Sequence, residues 1–155
     1  MRLAFAIALA AAGVLGAAPP DPPPSRIESA LVDLANAERK REGLRPFRSN
    51  SRLMRAAQLQ AEQVAKIGRL DHTVAGAKYP TLRDRVDAVD YEWQALGENL
   101  AFGQRNAAQA TGTWMKSAGH RANILNRRFT EIGTAHLVDR RGRPYYVQVF
   151  ARPAS

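Results

Sequence analysis

No cysteine occurs in the 155 residues of this chain. That excludes a disulfide framework and a thiol nucleophile, and it leaves packing to stabilise whatever fold forms. Histidine is nearly as scarce, with three in all, so imidazole chemistry near neutral pH must come from His72, His120 or His136. Aromatic residues make up only 7% of the chain, and no basic stripe interleaved with aromatics marks a nucleic-acid surface, so nucleic acid is not an expected partner. Carboxylates are outnumbered, 14 Asp and Glu against 23 Lys and Arg, for a net charge of +9. Such an excess suits an anionic neighbour, a phospholipid or a wall polymer; the alternative is that scattered arginines simply keep the chain soluble. No internal repeat is present.

Residues Met1 to Ala18 carry one charge at Arg2, an apolar run from Leu3 to Leu15, and the small residues Gly16, Ala17 and Ala18. This is the pattern of a secretory signal, and the apolar run is shorter than the roughly 18 to 20 residues that span a bilayer. Residues 19–24, Pro-Pro-Asp-Pro-Pro-Pro, form an extended linker, since proline fixes the backbone and removes hydrogen-bond donors. Residues 25–155 are then expected to make one domain, because about 130 residues suffice for a single core. An exported chain without cysteine points to a bacterial periplasmic, envelope or secreted protein rather than a small eukaryotic extracellular domain. A monomer is expected.

Ser25 and Glu28 form a capping box ahead of Ile27, Leu31, Leu34 and Ala35, which predicts a first helix running to Gly43. Asn50 caps a second helix over 51–67 that Gly68 ends. A short third helix is expected over 81–89, and an extended segment over 93–102 from the even spacing of Leu96, Leu100 and Phe102. Asn106 starts a fourth helix that continues to about Ser117 and breaks at Gly119. Strands are predicted over 132–138 and 144–150, joined by a charged turn over 139–143. Helices first and strands last define an α+β class.

Three separated segments carry candidate chemistry: Asp71-His72-Thr73, Gly97-Glu98-Asn99-Leu100-Ala101, and Trp114-Met115-Lys116-Ser117-Ala118-Gly119-His120-Arg121-Ala122-Asn123-Ile124-Leu125. Taken singly each is weak, since a lone histidine usually packs or hydrogen-bonds and a lone Gly-Glu-Asn usually turns the chain. Together with Phe129-Thr130-Glu131-Ile132-Gly133 they resemble, in this order, the CAP superfamily of cysteine-rich secretory, antigen 5 and pathogenesis-related proteins, in its cysteine-free bacterial form, over 27–152. The resemblance implies an α-β-α sandwich with a small antiparallel sheet between helical layers. It also implies a cleft to which His72, Glu98 and His120 contribute. Many eukaryotic members place a second glutamate three residues after the tryptophan matched by Trp114; here that position is Ser117, so the acidic set is incomplete.

Two imidazoles and a carboxylate can hold a divalent ion such as zinc, with a position left for water or ligand. They can equally work without metal, the carboxylate orienting an imidazole that accepts or donates a proton. A binding module for a metal or small ligand is the leading expectation. A metal-assisted hydrolase with Glu98 aiding proton transfer is the alternative, and a purely structural role is the third. Ser117 is expected to be a polar helix-terminal residue rather than a nucleophile, because no nucleophile-elbow sequence surrounds it. Asn99 is expected to fix a turn presenting Glu98, Trp114 to be core beside the cleft, Arg121 to be a surface charge or a partner for a carboxylate, and His136 to be a partly exposed strand residue outside the site.

Overall fold

The computed structural model describes residues 23–155; the leader and most of the proline linker lie outside them. Nine elements follow in chain order: α1 (Arg26–Arg41), β1 (Arg48–Ser49), α2 (Ser51–Ile67), α3 (Leu82–Asp87), β2 (Trp93–Phe102), α4 (Ala107–Lys116), α5 (Ala118–Ile124), β3 (Glu131–Val138) and β4 (Pro144–Pro153). The caps act where the sequence puts them. Ser25 and Glu28 make the reciprocal box on α1, and Asn50 accepts from the amides of Arg52 and Leu53 at the start of α2. Gly68, at φ 73°, ends α2 in the left-handed conformation that a side chain would strain.

The four strands lie in the order β1-β3-β4-β2. The two long pairings, β3 with β4 and β4 with β2, are antiparallel, but β1 joins β3 in parallel through Arg48 and Ser49. The sheet is therefore mixed rather than antiparallel throughout. Only two residues of β1 pair, too few for any period-two pattern to reveal.

Strand alternation sorts the core into two layers. Tyr145, Val147, Val149 and Ala151 of β4, with Leu100 and Ala135, pack against Leu53, Ala57, Ala61 and Val64 of α2 and Val86 of α3. The opposite face presents Tyr146 and Phe150 with Ile132 and Ala101 to Leu31 and Ala35 of α1, Trp114 of α4 and Ile124 of α5. Phe150 anchors this second layer, its ring centroid 5.3 Å from Phe47 and 5.9 Å from Phe129. The result is the α-β-α sandwich, with α2 and α3 on one side and α1, α4 and α5 on the other.

One position sets how closely α2 approaches the sheet. A Cβ on Gly133 of β3 would overlap the backbone of Leu53 and Met54, and a main chain cannot swing aside as a flexible side chain can. Gly133→Ala is expected to cost about 1–3 kcal/mol or more through forced separation of α2 from β3. A urea midpoint equal to the wild type, at unchanged slope, would show that the contact is looser than this.

Candidate functional site

The site forms along β2, the strand at one edge of the sheet. Because successive side chains leave opposite faces, Glu98 points with Leu100 toward α2 and α3, while Asn99 points with Ala101 toward α4 and α5. Each layer then sends one histidine to the strand. His72 comes from the loop after α2, and His120 from within α5.

On the α2–α3 side the Glu98 carboxylate is buried, its side chain 2% exposed, and both oxygens have partners. Oε1 lies 2.8 Å from His72 Nδ1, and Oε2 accepts from the Arg85 guanidinium at 2.8 Å. Arg85 is fully buried. It also donates to the carbonyl of Pro80 at 3.0 Å and more loosely to those of Tyr79 and His72. A buried carboxylate needs such a partner, since leaving either charge alone in the interior is costly. Nothing in the sequence marks Arg85, which sits in a short helix where an arginine ordinarily faces water.

His72 is held at Nδ1 and its side chain is 60% exposed, so Nε2 is the nitrogen left for a ligand. The hydrogen bond to Glu98 raises its pKa, with partial burial opposing. His120 behaves in the opposite way. Burial lowers its pKa, the positive charge on His72 lowers it further, and its buried Nδ1 has no hydrogen-bond partner among the described residues. The two imidazoles are thus close enough to sense each other, and their pKa values are shifted in opposite directions.

On the α4–α5 side amides tie the strand to the helices. Asn99 is buried within β2 rather than in a turn, and its Nδ2 donates to the carbonyl of His120 at 3.1 Å and to Gln148 Oε1 at 3.2 Å. Asn123 donates to the Glu98 carbonyl at 3.1 Å and to Asn99 Oδ1 at 2.9 Å, and Trp114 Nε1 donates to the Leu100 carbonyl at 2.9 Å. The carbonyls of Glu98 and Leu100 face away from β4, so α4 and α5 satisfy an edge that would otherwise be open to pairing. Gly97 is required beside them, since a Cβ there would come within 2.8 Å of the Phe129 ring.

The break between α4 and α5 falls at Ser117, which is extended at φ −101° and ψ 123°, and not at Gly119, which lies inside α5. A glycine lowers helix propensity, yet here tertiary contacts of α5 outweigh it. Ser117 is half-buried and its hydroxyl makes no cap hydrogen bond. Trp114 is wholly buried. Arg121 faces Glu42 at 3.5 Å on the surface, and the His136 ring lies tilted against Tyr146, centroids 4.9 Å apart, in the other strand pair. Among the described residues no group of three or more histidine and acidic side chains converges as a metal-holding set. Both Glu98 oxygens are engaged, one by His72 and the other by Arg85.

The model of the CAP family, described as the cysteine-rich secretory protein family, matches residues 32–150. The Bacillus subtilis protein YkwD is 33% identical over 113 residues, covering 73% of this chain and 43% of YkwD. The chain spans less than half the length of the curated relatives it matches. Among solved structures, an extracellular SCP-domain protein of Bacillus anthracis has a TM-score of 0.74 at 26% identity, over 81% of this chain and 40% of that one. An outer surface protein of Borrelia burgdorferi has a TM-score of 0.74 at 21% identity, over 81% of this chain and 92% of that one. NaASP2, crystallised with Zn2+, shares the fold at 12% identity, with a TM-score of 0.57 over 82% of each chain.

The two histidines make opposite contributions to stability across pH. The His72 contribution is fully present below the ordinary imidazole value of 6.5 and fades as pH rises through its raised pKa; that of His120 is fully present above 6.5 and fades as pH falls through its lowered pKa. Their combined effect is therefore largest near pH 6.5. Imidazole proton titration by NMR should place His72 above and His120 below that value, and reversed positions would refute the assignment. Glu98→Gln should lower the His72 pKa and, by stranding the Arg85 charge, cost about 3–5 kcal/mol in denaturant unfolding.

Proposed function

The chain belongs to the CAP family of cysteine-rich secretory proteins, and on that premise we propose that it is an exported binding module, acting at the bacterial envelope or outside the cell. Its His72–His120 site takes a small polar ligand or a divalent ion. The carrying observation is the buried Arg85–Glu98–His72 chain, which spends a desolvated ion pair on aiming one exposed imidazole. Such a pair is weakly stabilising at best, so its presence behind a solvent-facing histidine favours a ligand-positioning role. The leader pattern in Met1 to Ala18, and relatives named as extracellular and outer surface proteins, support export. No helix among the described residues is long and apolar enough to cross a membrane.

For a metal, the donor set fits a loosely held ion rather than a closed structural zinc, which takes four protein ligands. His72 through Nε2 and His120 would hold it, with Glu98 fixing the His72 tautomer as carboxylates commonly do for metal-bound histidines. A divalent ion bound there would supply Lewis acidity. The hydrolase alternative draws no support from Glu98, whose oxygens are engaged by Arg85 and His72 and whose side chain is buried. Ser117 gives none either, with no base joined to its hydroxyl among the described residues.

Calorimetric titration of the folded protein with zinc is expected to show weak, saturable uptake. His72→Ala and His120→Ala should each weaken it by about tenfold or more, in the range seen when the shell of a metal site is disturbed. Zinc uptake that survives both substitutions would place the ion elsewhere. No uptake by the folded wild type would remove the metal from the proposal and leave a polar ligand alone.

A further inference from the structure

The basic surplus is not spread evenly. A concavity of about 600 Å3 opens between the C-terminal end of α1, the 127–130 loop and the end of β4, and Arg39, Arg45, Arg48, Arg127 and Arg152 all line it with no carboxylate among the lining residues. Its size lies within the range of small-molecule sites. Arg48 is paired with Glu131 at 2.9 Å, and Arg152 bonds the neutral Gln94 at 3.1 Å. Arg45 and Arg127 are exposed and take part in no ion pair among the described residues.

Arg39 gives the groove its character. It is 3% exposed, and among the described residues its guanidinium is met only by the carbonyls of Arg45, Ile124, Asn126 and Phe129 and by the face of the Phe47 ring. Neutral carbonyls satisfy its hydrogen bonds but not its charge, and burial lowers its pKa. A buried cation with no counter-ion among the described residues, ringed by four exposed guanidinium groups, leaves a positive field in a partly enclosed space, which attracts anions. Guanidinium forks match carboxylate and phosphate alike. A carboxylate has two oxygens, enough for one bidentate arginine, whereas a phosphate offers oxygens and charge for several.

We propose that this groove is a phosphate-binding site, in which Arg45, Arg127 and Arg152 grip the phosphate oxygens of an anionic ligand. It deepens the binding-module reading by giving the anionic partner a surface, and it does not depend on the His72–His120 site.

The test follows amide shifts by NMR as glycerol 3-phosphate is added to the protein and to two variants. One is Arg45→Gln/Arg127→Gln/Arg152→Gln; the other, Arg140→Gln/Arg141→Gln, removes charge from the β3–β4 turn. Saturable shifts confined to 43–48, 127–130 and 152 are expected, weakened by about tenfold or more in the groove variant, as loss of charge-assisted hydrogen bonds implies. The turn variant should bind as the wild type. Absent or non-saturable shifts, or equal weakening in both variants, would overturn the site in favour of diffuse charge.

Sedimentation with phosphatidylglycerol-containing and pure phosphatidylcholine vesicles separates the sources. Retention on the former alone, lost in the groove variant, assigns a lipid phosphate, while solution binding without retention assigns a soluble or polymer phosphate. His72→Ala should leave all of this unchanged, so failure of the histidine site and failure of the groove are distinguishable.

Discussion

The contact on which the site depends is the one between the Glu98 carboxylate and the Arg85 guanidinium. Both are buried, 2.8 Å apart, and each would be costly alone in the interior. Arg85 reaches Glu98 only because α3 lies against the sheet, and the same guanidinium binds the carbonyls of Pro80, Tyr79 and His72. One ion pair therefore positions the connection from α2 to α3 that carries His72. What remains of the carboxylate is turned outward to hold the imidazole. The free energy gained by such a pair is small, but the geometry it imposes is narrow.

The opposite face of β2 is organised by neutral amides instead of charge. Asn99, Asn123 and Trp114 share the task of satisfying edge carbonyls and holding α5 against the strand. This explains the residue types of the two peptide motifs in physical terms. Gly97 admits the Phe129 ring, Glu98 and Asn99 address the two layers, and Trp114 and Asn123 stand far enough apart to reach carbonyls two residues apart on the strand. His120 is then delivered by a helix whose position is fixed without its own imidazole, leaving the ring nitrogens uncommitted by the fold.

Much of this is legible in the sequence. The limits of α2, the extended run over 93–102 and the late strand pair follow from caps, period and turn residues, because those elements are decided locally. The elements decided by tertiary contact were not legible. β1 is two residues long, Gly119 is helical only because α5 is held from both sides, and Asn99 looks like a turn residue until the strand passes through it. Arg85 carries no local sign of burial. At the site, resemblance to a family and not spacing brings His72 and Glu98 together, and the pairing of both Glu98 oxygens with His72 and Arg85 is visible only in three dimensions.

α5 links the histidine site to the arginine groove. Asn99 and Asn123 hold it toward β2, while the Arg39 guanidinium takes the carbonyls of Ile124 and Asn126 at its C-terminal end, where a cation is favoured by the unsatisfied carbonyls of a helix end. Arg39 thus has two roles, anchoring the helix that bears His120 and supplying charge to the groove. Removing it would disturb both sites at once and could not tell a lost ligand from a displaced helix. Arg45, Arg127 and Arg152 are exposed and anchor nothing in the core, so their charge is separable from the fold. The chain has thus put the structural part of its basic surplus inside, on carbonyls, and left the part available for recognition at the surface.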